Sequence, residues 1–481
     1  VIRTFLPATP PAPYQYAALR RRVAVRMFGP MRIPFLVRHV LPAAALLLAG
    51  CYSRSDMQSE QTAEAPAKTK TDSPAPPKAQ PAPQSAATPA AAPSGFPAVN
   101  VFLEVSGSMQ GFMPAAGADA RTTQFQQQVS EWLSGLERDQ RVRQRRYFRI
   151  ADRPLADSYR SLSETVRRGI SQPAKSTSIP AILDTVANRY LGEGTISVII
   201  SDFIYSPEKA GDVPYISTDI ADALARSRPD LAVSVYALTS DFRGTYYPAL
   251  KSRVGRVPNC CPEPVPYYLW VLGPAPLVGQ FDAALMKGLP GEQAHFGLAA
   301  LEVPNSVLSR FQRKGSWFVA DAGRQAGAGG HTVAIEEASA QEPAEFVVGL
   351  DMTALPELFQ TPAYLQKHLA LRGSLPEAKV VKVEAATDAT KRSGGPEAAY
   401  SHFVTVRVTT KPRSKQELTL ALPAARPAWV EKWTTTDDSR PGAQTFALSR
   451  QLDGLQRLLA GRQAGTNAAE VLRVPLTVQP D

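Results

Sequence analysis

Between Val99 and Met109 a short apolar run, Val99-Asn100-Val101-Phe102-Leu103, passes directly into the polar turn Glu104-Val105-Ser106-Gly107-Ser108. Successive side chains of an extended chain point to opposite faces, so alternate residues at a strand's end can converge on one point. A carboxylate at Glu104 and hydroxyls at Ser106 and Ser108 placed that way offer three hard oxygen donors, the ligand type that Mg²⁺ requires. This stretch constrains the rest of the chain: it demands a sheet to hold the strand and further polar residues to complete the cluster.

Strand and helix patterns alternate downstream. Phe125, Val129, Trp132, Leu133 and Leu136 recur at helical spacing over Thr123 to Glu137. Tyr147 to Ile150 reads as a short strand. Ile179 to Leu191 reads as a helix with Ser178 as N-cap, Pro180 in its first turn, and a buried face of Ile179, Ile182, Leu183, Val186 and Tyr190. Thr195 to Ser201 has the apolar character of a central parallel strand. Asp219 to Arg226 reads as a helix stopped by Pro229, and Leu231 to Leu238 and Tyr267 to Leu272 read as strands. The alternation predicts an α/β fold with a parallel, Rossmann-like sheet covered on both faces. Ligands of such sheets bind at the carboxyl ends of the strands. Three polar clusters are expected to meet there: Glu104, Ser106 and Ser108; Lys175-Ser176-Thr177-Ser178; and Ser201-Asp202.

Over residues 96–290 these residues resemble a von Willebrand factor type A domain. That family's metal-ion-dependent adhesion site begins Asp-x-Ser-x-Ser, often continued as Gly-Ser-Met; here the stretch is Glu104-Val105-Ser106-Gly107-Ser108-Met109. The family's Thr at the start of a helix matches Thr177, and its Thr-Asp-Gly after a strand matches Ser201-Asp202-Phe203. The resemblance implies a Mg²⁺ site, with Mn²⁺ or Ca²⁺ as alternatives, made by Glu104, Ser106, Ser108, Thr177 and Asp202. Ser106 and Ser108 would bind directly, Thr177 directly or through water, and Asp202 largely through water. The open position would take a carboxylate from a protein partner. Two residues depart from the pattern: Glu104 stands for Asp and Phe203 for Gly. The longer Glu104 side chain either takes a coordination place or points elsewhere, and Glu104 and Ser108 bracing the turn onto backbone N–H groups is the non-metal alternative.

The N-terminal region carries a different signal. Translation is expected to begin at Met27 or Met31. From Met31, Arg32 and Arg38 precede the apolar run Leu41 to Gly50, which is too short for a stable membrane span and has the form of an export signal. Leu48-Ala49-Gly50-Cys51 resembles the lipobox of bacterial lipoproteins. This implies cleavage before Cys51, lipidation of its thiol and anchoring in the cell envelope. By that family's sorting, Tyr52 points to the outer membrane, with the folded part facing either the periplasm or the exterior. Residues 1–50 are thus read as an N-terminal extension and signal peptide. Residues 51–95, rich in Pro and Ala with almost no large apolar side chain, are read as a disordered tether.

Residues 291–481 are expected to form a β-rich, sandwich-like domain. Trp317 to Val319, Glu345 to Leu350, Val380 to Glu384, His402 to Thr409, Glu417 to Leu422 and Leu472 to Val478 read as its strands, Gly323 to Gly330 as a flexible segment, and Phe446 to Leu459 as one amphipathic helix. Ser240 to Pro266 is a long insertion bearing Phe242, Tyr246, Tyr247 and adjacent Cys260 and Cys261. It serves either as a partner surface or as packing on its own domain. The two cysteines are free, joined to each other, or bonded to another chain.

The formal charge of +10 does not indicate nucleic acid, because seven arginines lie in residues 1–50, which hold no Lys, Asp or Glu, leaving +3 on residues 51–481. The patch Arg141 to Arg146 is read as a solvated helix end and loop. The five histidines, His39, His295, His331, His368 and His402, form no His-Glu-x-x-His pair, and there is no phosphate loop or Gly-x-Ser-x-Gly elbow. The expectation is a non-enzymatic envelope lipoprotein that binds a protein partner. A structural envelope protein with a metal-free site is the alternative, and an envelope hydrolase the remoter one.

Overall fold

The computed structural model describes residues 95–115, 121–151, 153–174, 177–206, 209–250, 255–298, 301, 303–321, 330–462 and 470–481. Cys51, the signal and tether segments, Lys175, Ser176 and residues 323–329 of the glycine-containing segment lie outside them. Among the described residues no helix is long and apolar enough to cross a membrane.

The chain opens with β1 (Phe96–Glu104) and α1 (Gln124–Arg138), then β2 (Val142–Ile150), β3 (Pro154–Asp157), α2 (Tyr159–Arg168), α3 (Ile179–Arg189), β4 (Thr195–Ser201), α4 (Ile216–Leu224) and β5 (Leu231–Ser240). The insertion folds as a small hairpin, β6 (Gly244–Tyr246) and β7 (Val257–Cys260), before β8 (Val265–Pro274), α5 (Ala275–Leu285) and β9 (Glu292–Phe296). Cys260 and Cys261 are bonded to each other.

These strands build one seven-stranded sheet in the order β3-β2-β1-β4-β8-β5-β9. β1 lies parallel to β2 and β4, with Leu103 opposite both Arg149 and Ile200. The expected all-parallel sheet is corrected to a mixed one, because β8 runs antiparallel between β4 and β5. The cause is the connection. Antiparallel neighbours are joined by a loop, whereas a parallel pair needs a crossover, usually a helix, and the described residues between β5 and β8 hold the β6–β7 hairpin and no helix.

Apolar helices cover both faces. Val99, Val101 and Leu103 point to one side, against Phe125, Val129 and Leu133 of α1, Leu162 and Val166 of α2, and Val278 and Phe281 of α5. Phe102, Ile199 and Trp270 point to the other, against Ile182 and Leu183 of α3 and Ile220 and Leu224 of α4. Arg141 to Arg146 is not a helix end and loop: from Val142 onward it is part of β2. Val142, Tyr147, Phe148 and Ile150 of this strand are buried, while Arg143 and Arg146 are exposed.

The chain continues with β10 (Asn305–Leu308), β11 (Ser316–Val319), β12 (Thr332–Glu337), β13 (Ala344–Leu350), α6 (Pro362–His368), β14 (Ala370–Gly373), β15 (Ala378–Ala385), α7 (Asp388–Lys391), β16 (His402–Val408), β17 (Gln416–Pro423), α8 (Trp429–Lys432), β18 (Thr434–Thr435), β19 (Thr445–Phe446), α9 (Leu448–Arg462) and β20 (Glu470–Pro480). Two sheets, β10-β13-β16-β15 and β11-β12-β20-β17-β14, share a core of Trp317, Ile335, Phe346, Val348, Val404, Val406, Leu420, Val474 and Leu476. This part is β-rich, as expected.

Residues 291–481 do not separate from the α/β layer. β9 is the edge strand of the central sheet. Leu448, Leu452, Leu455 and Leu459 of α9, with Trp429 and Val430 of α8, join the core that covers the sheet's second face. The contact between α9 and α4 is close: a Cβ on Gly454 would lie 2.2 Å from the Ser217 carbonyl oxygen. Arg462 at the end of α9 donates to the carbonyls of Leu224 and Ala225, where α4 ends.

Candidate functional site

The parallel register of β1 and β4 sets Glu104 and Ser201 side by side at the carboxyl ends of their strands. After Glu104 the chain is held on two sides: the Val105 N–H donates to the Ile150 carbonyl at 3.1 Å, and the Ala174 N–H donates to the Val105 carbonyl at 2.8 Å. The second contact brings the segment leading to Thr177 beside the Ser106 turn. Ser178 caps α3 by accepting from the Ala181 N–H, with Pro180 in the first turn. This fixes where Thr177 stands.

All five residues singled out in the sequence meet here. Thr177 donates its hydroxyl to Glu104 Oε1 at 2.6 Å. Ser201 donates to Glu104 Oε2, and its own oxygen accepts the Phe203 N–H at 2.8 Å. The Ser106 and Ser108 hydroxyls lie 3.0 Å apart in a hydrogen bond. Asp202 Oδ1 accepts the Ile204 N–H at 3.1 Å, while Asp202 Oδ2 is buried without a hydrogen-bond partner. Glu104 and Asp202 are 1% and 2% exposed, and among the described residues neither forms an ion pair with Lys, Arg or His. Burial, and then the nearby Glu104 charge, push the Asp202 carboxyl up to about 7, against the opposing pull of the Ser108 hydroxyl and the Ile204 N–H.

Two buried carboxylates, the hydroxyls of Ser106, Ser108 and Thr177, and an unpartnered carboxylate oxygen form a donor set that suits a hard cation. A hydroxyl that donates to Glu104 keeps lone pairs for a metal, so the Thr177–Glu104 bond orients a ligand rather than consuming it. Among the described residues no group of three or more His, Cys, Asp and Glu is placed to hold a metal. A cation in this crevice therefore depends on hydroxyl oxygens.

No protein-family model, curated protein or solved structure matches this chain.

The insertion forms one wall of the crevice. Phe242 and Tyr246 are buried, with Phe242 edge-on to Phe112 at 5.0 Å, so these aromatics fasten the insertion to the sheet. Tyr247 is exposed and stands beside the site turn, 3.3 Å from where a Cβ on Gly107 would lie. Asp438, from the segment between β18 and β19, accepts from the Ala249 N–H at 2.7 Å and from the Tyr246 hydroxyl at 3.3 Å. Burial, then Asp438 and Asp202, raise Tyr246 well above the ordinary tyrosine value.

Sequence reasoning left two contributors, Gln451 and Trp270, out of the site and gave Ser201 no ligand role. Ser201 was expected in the polar cluster with Asp202; the structure makes it the second clamp on Glu104. Gln451 donates from Nε2 to the Phe203 carbonyl at 3.2 Å. Its signal was a lone amide on the apolar face Leu448, Leu452 and Leu455. Trp270 stacks on Phe203 with ring centres 4.3 Å apart.

A Ser-His-Asp trio also exists away from the crevice: Ser234, His295 and Asp282. The Ser234 hydroxyl and Asp282 Oδ2 both approach His295 Nδ1, at 2.8 and 3.3 Å, and the His295 and Asp282 side chains are fully buried. A nucleophile and its orienting carboxylate must use opposite ring nitrogens. Sharing one nitrogen makes this a polar tie between β5, α5 and β9.

Proposed function

We propose that this chain is an envelope lipoprotein, anchored through lipid on Cys51, whose α/β region is a von Willebrand factor A-like module that captures a protein partner through a variant metal-ion-dependent adhesion site. The observation that carries this reading is the convergence of Glu104, Ser106, Ser108, Thr177 and Asp202 from separate segments around an unpartnered, buried Asp202 oxygen. Ser106, Ser108 and Thr177 would hold the cation. Glu104 orients Thr177, and with it Ser201, from behind; its longer side chain is used to reach both hydroxyls. Asp202 contributes charge at the crevice wall. Bound Mg²⁺ supplies an electrophile with an open position for a partner's carboxylate.

A second reading, a structural envelope protein with a metal-free site, is favoured by one observation: both Glu104 oxygens are already satisfied and the Ser106 and Ser108 hydroxyls bond each other. Titration with Mg²⁺ and Mn²⁺ separates the two. The adhesion reading predicts a melting temperature that rises with metal concentration, and loss of that rise in the Ser106→Ala, Ser108→Ala double variant without loss of fold. Equal melting curves in EDTA and in Mg²⁺ establish the second reading.

A further inference from the structure

Phe203 follows Asp202 directly and has a backbone φ of +50°, a conformation that L residues other than Asn and Asp rarely adopt. Three contacts hold it there. Its N–H donates to Ser201 Oγ at 2.8 Å, its ring stacks on Trp270, and its carbonyl accepts from Gln451 Nε2 at 3.2 Å. Gln451 is fully buried among the leucines of α9. Its Oε1 is buried without a partner, so the Nε2 bond to Phe203 is the one that offsets the cost of burying this amide.

The peptide unit joining Phe203 to Ile204 bears both the carbonyl that Gln451 grips and the N–H that Ile204 donates to Asp202 Oδ1 at 3.1 Å. A peptide unit is planar, with its C=O and N–H pointing in opposite directions. Fixing the oxygen toward α9 fixes the N–H toward the crevice. One rigid plane therefore transmits the hold of Gln451 to the Asp202 carboxylate.

We infer that Gln451 is a positioning residue for the crevice: it sets the orientation of the Asp202 carboxylate, and through it the affinity for a divalent cation, although it belongs to a helix far along the chain. The cation part of this inference rests on the metal reading above, while the coupling of Gln451 to the Ile204 N–H stands on geometry alone. Groups that orient a ligand from behind typically change metal affinity by about 10–100-fold when removed.

The test uses the full chain with three variants: Gln451→Leu, which keeps bulk and removes the donor; Gln451→Met, which keeps length and removes the donor; and Leu459→Ala, which weakens the same helix without touching Phe203. In EDTA, hydrogen exchange at the Ile204 amide is expected to speed up in both Gln451 variants and to match wild type in Leu459→Ala. In calorimetric Mg²⁺ titration, both Gln451 variants are expected to bind about 10-fold or more weakly, while Leu459→Ala lowers the melting temperature at unchanged affinity. Ile204 exchange unchanged in the Gln451 variants overturns the inference, as does wild-type Mg²⁺ affinity in them. Absence of Mg²⁺ and Mn²⁺ binding by the wild-type chain overturns the metal reading instead, and the Ile204 exchange result then decides the coupling by itself.

Discussion

Thr177 donates its hydroxyl to Glu104 Oε1 across 2.6 Å, tying the approach to α3 to the end of β1 over 73 positions of sequence. Glu104 is buried, so removing this donor leaves a carboxylate oxygen without its partner. The Thr177→Val variant, equal in shape, is expected to lose about 1–3 kcal/mol of stability in urea unfolding. It is also expected to lose measurable Mg²⁺ binding, because the same oxygen is a candidate ligand. Full stability in Thr177→Val would mean the bond carries no weight in the fold.

Stability should depend on pH through Asp202. Its folded value, near 7, lies above the ordinary 3.8. The folded chain thus holds the proton more tightly than the unfolded chain. The resulting stabilisation is complete below about pH 4 and is lost as pH rises through about 7. In EDTA, wild type is therefore expected to lose stability between pH 5 and pH 8 relative to Asp202→Asn, which has no proton to lose. Parallel pH profiles for the two proteins would remove Asp202 as the source.

Phe203 gives a crossing prediction. Phe203→Ala removes a fully buried ring from its stack on Trp270 and is expected to cost about 3–5 kcal/mol. Phe203→Gly removes still more, yet glycine adopts a φ of +50° without the penalty alanine bears there. The glycine variant is therefore expected to be the more stable by about 1 kcal/mol. Equilibrium unfolding of both variants checks the order.

The close approach of α9 to α4 predicts opposite effects for two helical glycines. Gly454→Ala places a Cβ 2.2 Å from the Ser217 carbonyl oxygen, and the resulting overpacking is expected to cost about 1–3 kcal/mol despite the better helix propensity of alanine. Gly135→Ala, in α1 with no neighbour within 4 Å, is expected to stabilise by about 0.5–1 kcal/mol. Thermal unfolding of the pair distinguishes packing from propensity.

Much of this was legible before the structure. The face Phe125, Val129, Trp132, Leu133 and Leu136 is buried in α1, and Ser178 caps α3, because both are local patterns with a fixed period or offset. The five crevice residues could be placed together because Glu104, Thr177 and Asp202 sit at strand ends or a helix start that such a sheet brings to one edge, with Ser106 and Ser108 in the turn that follows Glu104. Five helices, α2 and α5 to α8, escaped notice. α2 carries four charged residues in ten, and α5 opens between Pro274 and Pro276. The direction of β8 was not legible either, since an all-apolar strand reads the same in both directions and only the missing crossover helix betrays it. Gln451 was hidden for a different reason: its partner is 248 positions away, and no periodicity links a helix amide to a distant backbone carbonyl.

The path of the chain has a consequence for how the protein is made. β9 closes the edge of the central sheet, the chain then builds most of the sandwich, returns with α8 and α9 to cover the sheet's second face, and leaves again to place β20 between β12 and β17. A growing polypeptide thus holds two unfinished layers at once. The sheet's second face, covered by α3 and α4, stays only partly covered until α8 and α9 emerge, and the five-stranded sheet lacks its middle strand until β20 follows. Both layers are therefore completed by the one stretch from Trp429 to Pro480, and deleting β20 would leave the five-stranded sheet without its middle strand.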